Sequence, residues 1–280
     1  MDLQKLQEAK EFLEKADAVL ITAGAGMGVD SGLPDFRGND GFWEAYPAIK
    51  EKKLSFSRMA NPSWFEKDPH LAWAFYGHRL NLYRETVPHK GFSLLLNLVH
   101  KKNDNYFIFT SNVDGQFQKA GFDKEKIYEV HGSIHHFQCT KGCSQDIWDA
   151  KGETVRVDME NFRAKNLPKC KHCNALARPN ILMFWDTKWL AKRADKQENR
   201  FMKWLRELQK KQSCVAIIEI GAGSAIPTVR QRGEHLARTL PDAKLFRINP
   251  REFELDDSLG FSMPYAGLEG IEILQESTKK

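Results

Sequence analysis

The chain has 280 residues, 41% hydrophobic and 28% charged, the composition of an ordinary globular protein with room for one large domain or one domain carrying a smaller insert. No apolar run reaches the length of a membrane span, and the start, Met1-Asp2-Leu3-Gln4-Lys5-Leu6, reads as a charged amphipathic helix and not a secretion signal, so a cytoplasmic protein is expected with no membrane partner. The 42 Lys+Arg against 37 Asp+Glu leave a charge of only +5, spread along the chain, and no nucleic-acid partner is expected.

Leu3, Leu6, Ala9, Phe12, Leu13 and Ala16 keep a helical period up to the apolar run Ala18–Thr22, which reads as a buried parallel strand. Directly after it come Gly24, Ala25 and Gly26, small residues that let a backbone approach a pyrophosphate, so a dinucleotide site is expected there. The hydride-transfer fingerprint fails, because its third glycine falls on Val29. Pro34 then stops any long helix, and Asp35, Phe36 and Arg37 put an acid, an aromatic ring and a cation on a loop able to cover a nucleotide.

Residues 41–86 are rich in aromatics and read as helices, with Asn61-Pro62 and Asp68-Pro69 as helix starts. Beyond them, Tyr106–Phe109 and Ile127–Val130 read as strands. The first leads into Ser111-Asn112-Val113-Asp114-Gly115 and the second into His131-Gly132-Ser133, so polar groups stand at successive strand carboxyl ends, where an open α/β sheet binds ligands. His131 is the candidate general base, since imidazole titrates near neutrality; His135 and His136 read as packing residues.

Four of the five cysteines form close pairs, Cys139 with Cys143 and Cys170 with Cys173. Without a secretion signal such pairs suit one structural zinc ion better than disulfides. Cys214 reads as a buried apolar residue. Further strands are expected at Ile181–Phe184, Val215–Ile218 and Leu245–Ile248, with helices over Trp189–Leu208 and Thr228–Leu240. In the basic run Lys188–Lys211, Trp189, Leu190, Phe201, Met202, Trp204, Leu205 and Leu208 are interleaved at helical spacing, so the charges read as a solvated face over an apolar one. The alternation gives an α/β fold with a mainly parallel sheet formed by 1–40, 87–133 and 179–280, a helical insertion at 41–86 and a small zinc-binding module at 134–178.

Taken in order, these motifs resemble the sirtuin family of NAD-dependent protein-lysine deacylases. Gly24–Arg37 resembles the family's first motif, Thr110–Asp114 its T-Q-N-I-D, and His131-Gly132-Ser133 its H-G-S. Two cysteine pairs follow, Gly221-Ala222-Gly223 stands at the G-T-S position, and Ile248-Asn249 stands where the family's I-N pair meets the adenosine ribose. The resemblance implies a Rossmann-like sheet with NAD as co-substrate. Its pyrophosphate would lie on Gly24, Ala25 and Gly26, with Asp35, Phe36 and Arg37 covering the ribose and nicotinamide. Ser111, Asn112, Val113 and Asp114 would form the nicotinamide and ribose pocket, and Gly221, Ala222, Gly223 and Asn249 would complete the cofactor site. The implied catalytic residues are Asn112 and His131, with His131 as the base that activates a ribose hydroxyl after the acyl oxygen has displaced nicotinamide. The partners would be acylated lysines of proteins.

Within the helical insertion, Tyr76 and Arg79 resemble the Tyr-x-x-Arg pair of sirtuins that remove succinyl and malonyl groups. Three residues apart on a helix, they share a face and can converge on one carboxylate. Gly28, Ser111, Trp185 and Ala222 depart from the family pattern, and the Cys139–Cys143 spacing is one residue longer than usual. Rival readings are a mono-ADP-ribosyltransferase or NAD glycohydrolase on the same NAD site, a zinc module binding nucleic acid, and a hydride-transfer oxidoreductase.

Overall fold

A computed structural model of the protein describes residues 1–34, 38–51 and 53–276. In chain order its strands are β1 (Ala18–Ala23), β2 (Tyr106–Thr110), β3 (Ile127–Glu129), β4 (Gly132–Cys139), β5 (Ile147–Asp149), β6 (Val157–Asp158), β7 (Arg163–Ala164), β8 (Ala177–Ile181), β9 (Cys214–Ile220), β10 (Asp242–Ile248) and β11 (Gly260–Met263). Six of them form one sheet in the order β11-β10-β9-β1-β2-β3, with every pair parallel. Counted along this sheet alone, that is the doubly wound order 3-2-1-4-5-6 of dinucleotide-binding folds, whose crevice opens where the strand order reverses. Here the reversal lies between β1 and β9.

Every residue of β1, β2 and β9 is buried, because helices cover both faces of the sheet, and this is why these strands read as largely apolar runs. Val19 and Ile21 face one layer, made by helices Leu3–Lys15, Lys90–Lys101 and Gly267–Gln275. Ala18 and Leu20 face the other, where Phe201, Leu205 and Leu208 of helix Lys192–Lys211 pack with Phe107 and Phe109. The period-two alternation of a strand thus splits β1 between two cores.

A third apolar core joins the helical insertion to the small antiparallel sheet β5-β4-β8. Its central piece is helix Pro69–Glu85, started by Asp68, whose carboxylate accepts from Leu71 N at 3.1 Å, and by Pro69 in the first turn. Trp73 of this helix donates its indole N–H to Ala177 O at 2.9 Å and packs edge-on to Phe137 of β4. Helix and small sheet therefore fold as one body.

Two local expectations are corrected. The strand expected at Ile181–Phe184 lies earlier, at β8, whose polar members are all buried: Asn180 donates to Gln138 Oε1 at 2.8 Å and to Leu190 O at 2.9 Å, and Arg178 pairs with Asp186. The apolar run after it leaves the sheet to line a cavity. Edge strand β11 was not anticipated, being four residues long with only Gly260 and Met263 buried.

Candidate active site

The loops that follow β1 and β9 meet at the reversal point, backbone against backbone. Gly24 N donates to Ile220 O and Gly26 N to Gly221 O, both at 3.0 Å. A Cβ on Gly24 would stand 2.7 Å from Gly221 O, and one on Gly221, where φ is +61°, would stand 2.4 Å from Gly26 Cα. Neither neighbour can yield, since both are main chain, so the glycines are required for the two loops to interlock. A short 3₁₀ helix, Ala25–Ser31, starts at this junction.

Next along the sheet edge, Thr110 ties the end of β2 to β1: its hydroxyl donates to Ala23 O at 2.9 Å and accepts from Asn112 N at 3.0 Å. Asn112 Nδ2 donates to Gly24 O at 2.9 Å, so this side chain bridges the glycine loop and the polar loop. Asp114 is buried, its Oδ1 accepting from Gln116 N at 2.9 Å. Burial raises its pKa to about 6. Gln116 in turn donates to Tyr83 O at 3.1 Å, and His135 donates Nε2–H to Asp114 O at 2.7 Å.

His131 leaves the end of β3 just before the chain crosses into β4. The crossing demands Gly132: φ is +79°, and a Cβ there would lie 2.1 Å from Asn180 O. Burial holds the His131 imidazole below its ordinary pKa, partly opposed by a hydrogen bond to the Ser111 backbone. The ring is accordingly neutral at physiological pH and able to accept a proton.

The outer wall comes from helix Pro69–Glu85. Tyr76 and Arg79 are buried together with Tyr83, one further turn along. Arg79 donates from Nε and Nη2 to Tyr83 Oη at 3.0 and 2.9 Å, and its guanidinium lies 5.1 Å from the Phe75 ring centroid and 5.8 Å from that of Tyr76. The Tyr76 hydroxyl is buried with no hydrogen-bond partner among the described residues, and burial pushes its pKa up to about 12.

These parts enclose a cavity of about 320 Å³. Of the residues singled out from the sequence, it brings together Gly24, Ala25, Ser111, Asn112, Val113, Asp114, His131, Tyr76, Arg79, Ala222 and Gly223. Gly26 and Gly221 stand behind them at the loop junction. Asn249 also stands back: its Nδ2 donates to Ala222 O at 2.8 Å and its Oδ1 accepts from Arg251 N and Glu252 N at 3.0 Å, so it shapes the second glycine loop. Asp35, Phe36 and Arg37 lie outside the described residues. Sequence reasoning missed Tyr83, Phe56 and Ile226, which also line the cavity; Tyr83 was readable, because 76, 79, 80 and 83 follow one helix face.

Away from this cavity, Cys139, Cys143, Cys170 and Cys173 bring their sulfurs within 4.8 Å of one another. The Cys139–Cys173 and Cys143–Cys170 Sγ separations are 3.7 and 3.6 Å. Tetrahedral zinc with Zn–S bonds of about 2.3 Å places its sulfurs about 3.8 Å apart, so the donor set fits one zinc ion, and the three-residue gap after Cys139 is no obstacle. Such an ion would hold together the short strands of the module and do no chemistry in the cavity.

A doubly wound sheet with two interlocked glycine loops at its reversal point, a half-buried histidine beside them and a four-cysteine module defines a dinucleotide-site α/β protein of the sirtuin type. The chain belongs to the Sir2 family, whose model matches residues 24–198. It is 35% identical over 182 residues to an NAD-dependent protein deacylase of Thermococcus kodakarensis, covering 64% of each chain. It is 37% identical over 223 residues to one of Candida albicans, covering 66% of this chain and 70% of that one. The chain thus spans 64% of the length of the first of these relatives. Among solved structures it resembles a Sir2 homologue in complex with NAD, with a TM-score of 0.68 at 23% identity over 96% of this chain and 92% of that one. Among the described residues no helix is long and apolar enough to cross a membrane.

Proposed function

We propose that the protein is an NAD-dependent protein-lysine deacylase that moves the acyl group from lysine to ADP-ribose and releases nicotinamide. The observation that carries this is the convergence of Gly24, Asn112, Asp114 and His131 on one cavity at the sheet's reversal point. The interlocked glycine loops offer backbone close enough for a pyrophosphate. Asn112, fixed by its bond to Gly24 O, and Asp114 supply polar groups beside the ribose and nicotinamide. The neutral ring of His131 takes a proton from a ribose hydroxyl, and the apolar lining from Leu33, Phe56, Met183 and Phe184 keeps water from the developing positive charge. Curated relatives named NAD-dependent protein deacylases support the reading, and the reducing cytoplasm suits its four thiolates.

The acyl group we infer is acidic, succinyl or malonyl. A buried guanidinium and an unpartnered buried phenol at the cavity wall suit a carboxylate far better than a methyl group, since both can donate to it in a dry site. The test mixes protein, NAD and one lysine peptide bearing acetyl or succinyl, following peptide mass and nicotinamide together. Equimolar loss of succinyl and release of nicotinamide, abolished by His131→Ala, is expected. Nicotinamide release with the acyl-peptide intact would replace the reading by NAD hydrolysis or ADP-ribosyl transfer.

A further inference from the structure

The turn after β8 carries a feature that the proposed chemistry does not use. Phe184 lines the cavity, packs edge-on to Phe56 and donates its N–H to Ala60 O at 2.9 Å. Two residues on, the Asp186 carboxylate is fully buried: it pairs with Arg178, and it accepts from Lys188 N at 3.0 Å and Met183 N at 3.4 Å. The residue between these anchors, Trp185, is held at φ +57°, a conformation that costs a bulky side chain free energy and glycine almost none. Its indole is nevertheless 72% exposed. Beyond a tilted ring contact with Phe184 at 5.8 Å, a strained backbone that presents the largest apolar side chain to solvent gains little for the fold.

The position of the indole gives it a use. It stands one residue from the cavity wall, and Leu182 and Ile226, which line the same cavity, are also among the exposed large apolar residues. The mouth therefore has an apolar rim, while the neighbouring acid, Asp186, is taken up by Arg178 and adds no attraction for a cation. Resting on the deacylase reading, we propose that Trp185 is the specificity-determining contact for the polypeptide carrying the acyl-lysine, packing its indole against a large apolar side chain within two residues of the modified lysine. Interface tryptophans that are covered on binding commonly carry tenfold or more in affinity.

Fluorescein-labelled acyl-lysine peptides, with Phe, Leu, Ser or Asp placed in turn at the two positions on each side of the lysine, are titrated against the wild type, Trp185→Gly and Trp185→Phe. Anisotropy reads binding, and nicotinamide release in the presence of NAD reads turnover. At one flanking position Phe and Leu should bind about tenfold more tightly than Ser, with the ratio falling below about twofold in Trp185→Gly and retained in Trp185→Phe. Glycine relieves the positive φ, so the thermal midpoint of Trp185→Gly should be equal or higher. Peptides turned over without flanking preference, or a preference that survives Trp185→Gly, overturn the inference and leave the deacylase reading standing. Absence of binding and turnover with every peptide overturns both.

Discussion

Replacing Arg79 by Met tests the acyl pocket most directly. Arg79 is buried at the cavity wall, where its Nε and Nη2 donate to Tyr83 Oη. Two charge-assisted hydrogen bonds to a substrate carboxylate in a dry site, net of desolvation, come to about 3 kcal/mol, or about a hundredfold in kcat/KM at about 1.4 kcal/mol per decade. Met keeps a similar length and apolar volume, and the lost bonds to Tyr83 are offset by no longer burying a guanidinium, so the helix should remain folded. Desuccinylation should fall about a hundredfold, while deacetylation changes by less than about threefold because a methyl group has no use for the cation. Parallel kinetics on one peptide sequence with the two acyl groups read the ratio. An equal fall for both substrates would mean that Arg79 only braces the wall, and an unchanged succinyl rate would remove the carboxylate from this pocket.

The protein as purified should carry one zinc per chain by atomic absorption, and Cys173→Ser or prolonged chelation, reaching the exposed Cys143 and Cys173, should lower the thermal midpoint by about 10 °C or more. Asp186→Asn leaves Arg178 buried without its countercharge and should cost about 3–5 kcal/mol, read as a lower denaturant midpoint; a loss below about 1 kcal/mol would contradict that account. Asp114, raised to about 6 from an unfolded value of 3.8, binds its proton more tightly when folded. Its contribution to stability is therefore fully present below about pH 4 and is lost as pH rises through about 6, by about 3 kcal/mol. The stability of the wild type minus that of Asp114→Asn should fall over that window, and a flat difference would refute the burial argument. Gly132→Ala should destabilise the chain and suppress turnover together, because the clash with Asn180 O displaces the adjoining His131.

Much of the main sheet was legible because helices cover both of its faces, which forces β1, β2 and β9 to be largely apolar runs. Glu219, next to the end of β9, is the charged exception, tolerated because Arg247 of β10 pairs with it at 2.5 Å. The same effect hid β8. Asn180 pairs with Gln138, 42 residues earlier on β4, while Arg178 and Asn180 also bond to Asp186 and Leu190 in the turn that follows, and no periodicity reveals a buried polar residue satisfied outside its own strand. The cysteine pairs were legible for the opposite reason: thiolate spacing is set by the metal's own geometry, and the fold had only to bring two local pairs together.

The candidate site was legible as a set of short motifs, yet what joins them is long-range. Asn112 reaches back 88 residues to Gly24 O, and Gly26 bonds to Gly221 across the reversal of the sheet. The seam between β3 and β4 carries the same logic further. His131 ends one strand of the parallel sheet, and Gly132 opens a strand of the antiparallel one, in a conformation that L side chains rarely adopt. Leu182 N then bonds to His131 O at 2.9 Å, so the histidine is gripped by the chain returning from β8. A histidine placed at this seam has the crevice at the sheet's reversal point on one side and, on the other, the turn that carries Phe184 and Trp185. His131 is therefore tied to both sheets, through the Ser111 backbone on one side and Leu182 N on the other.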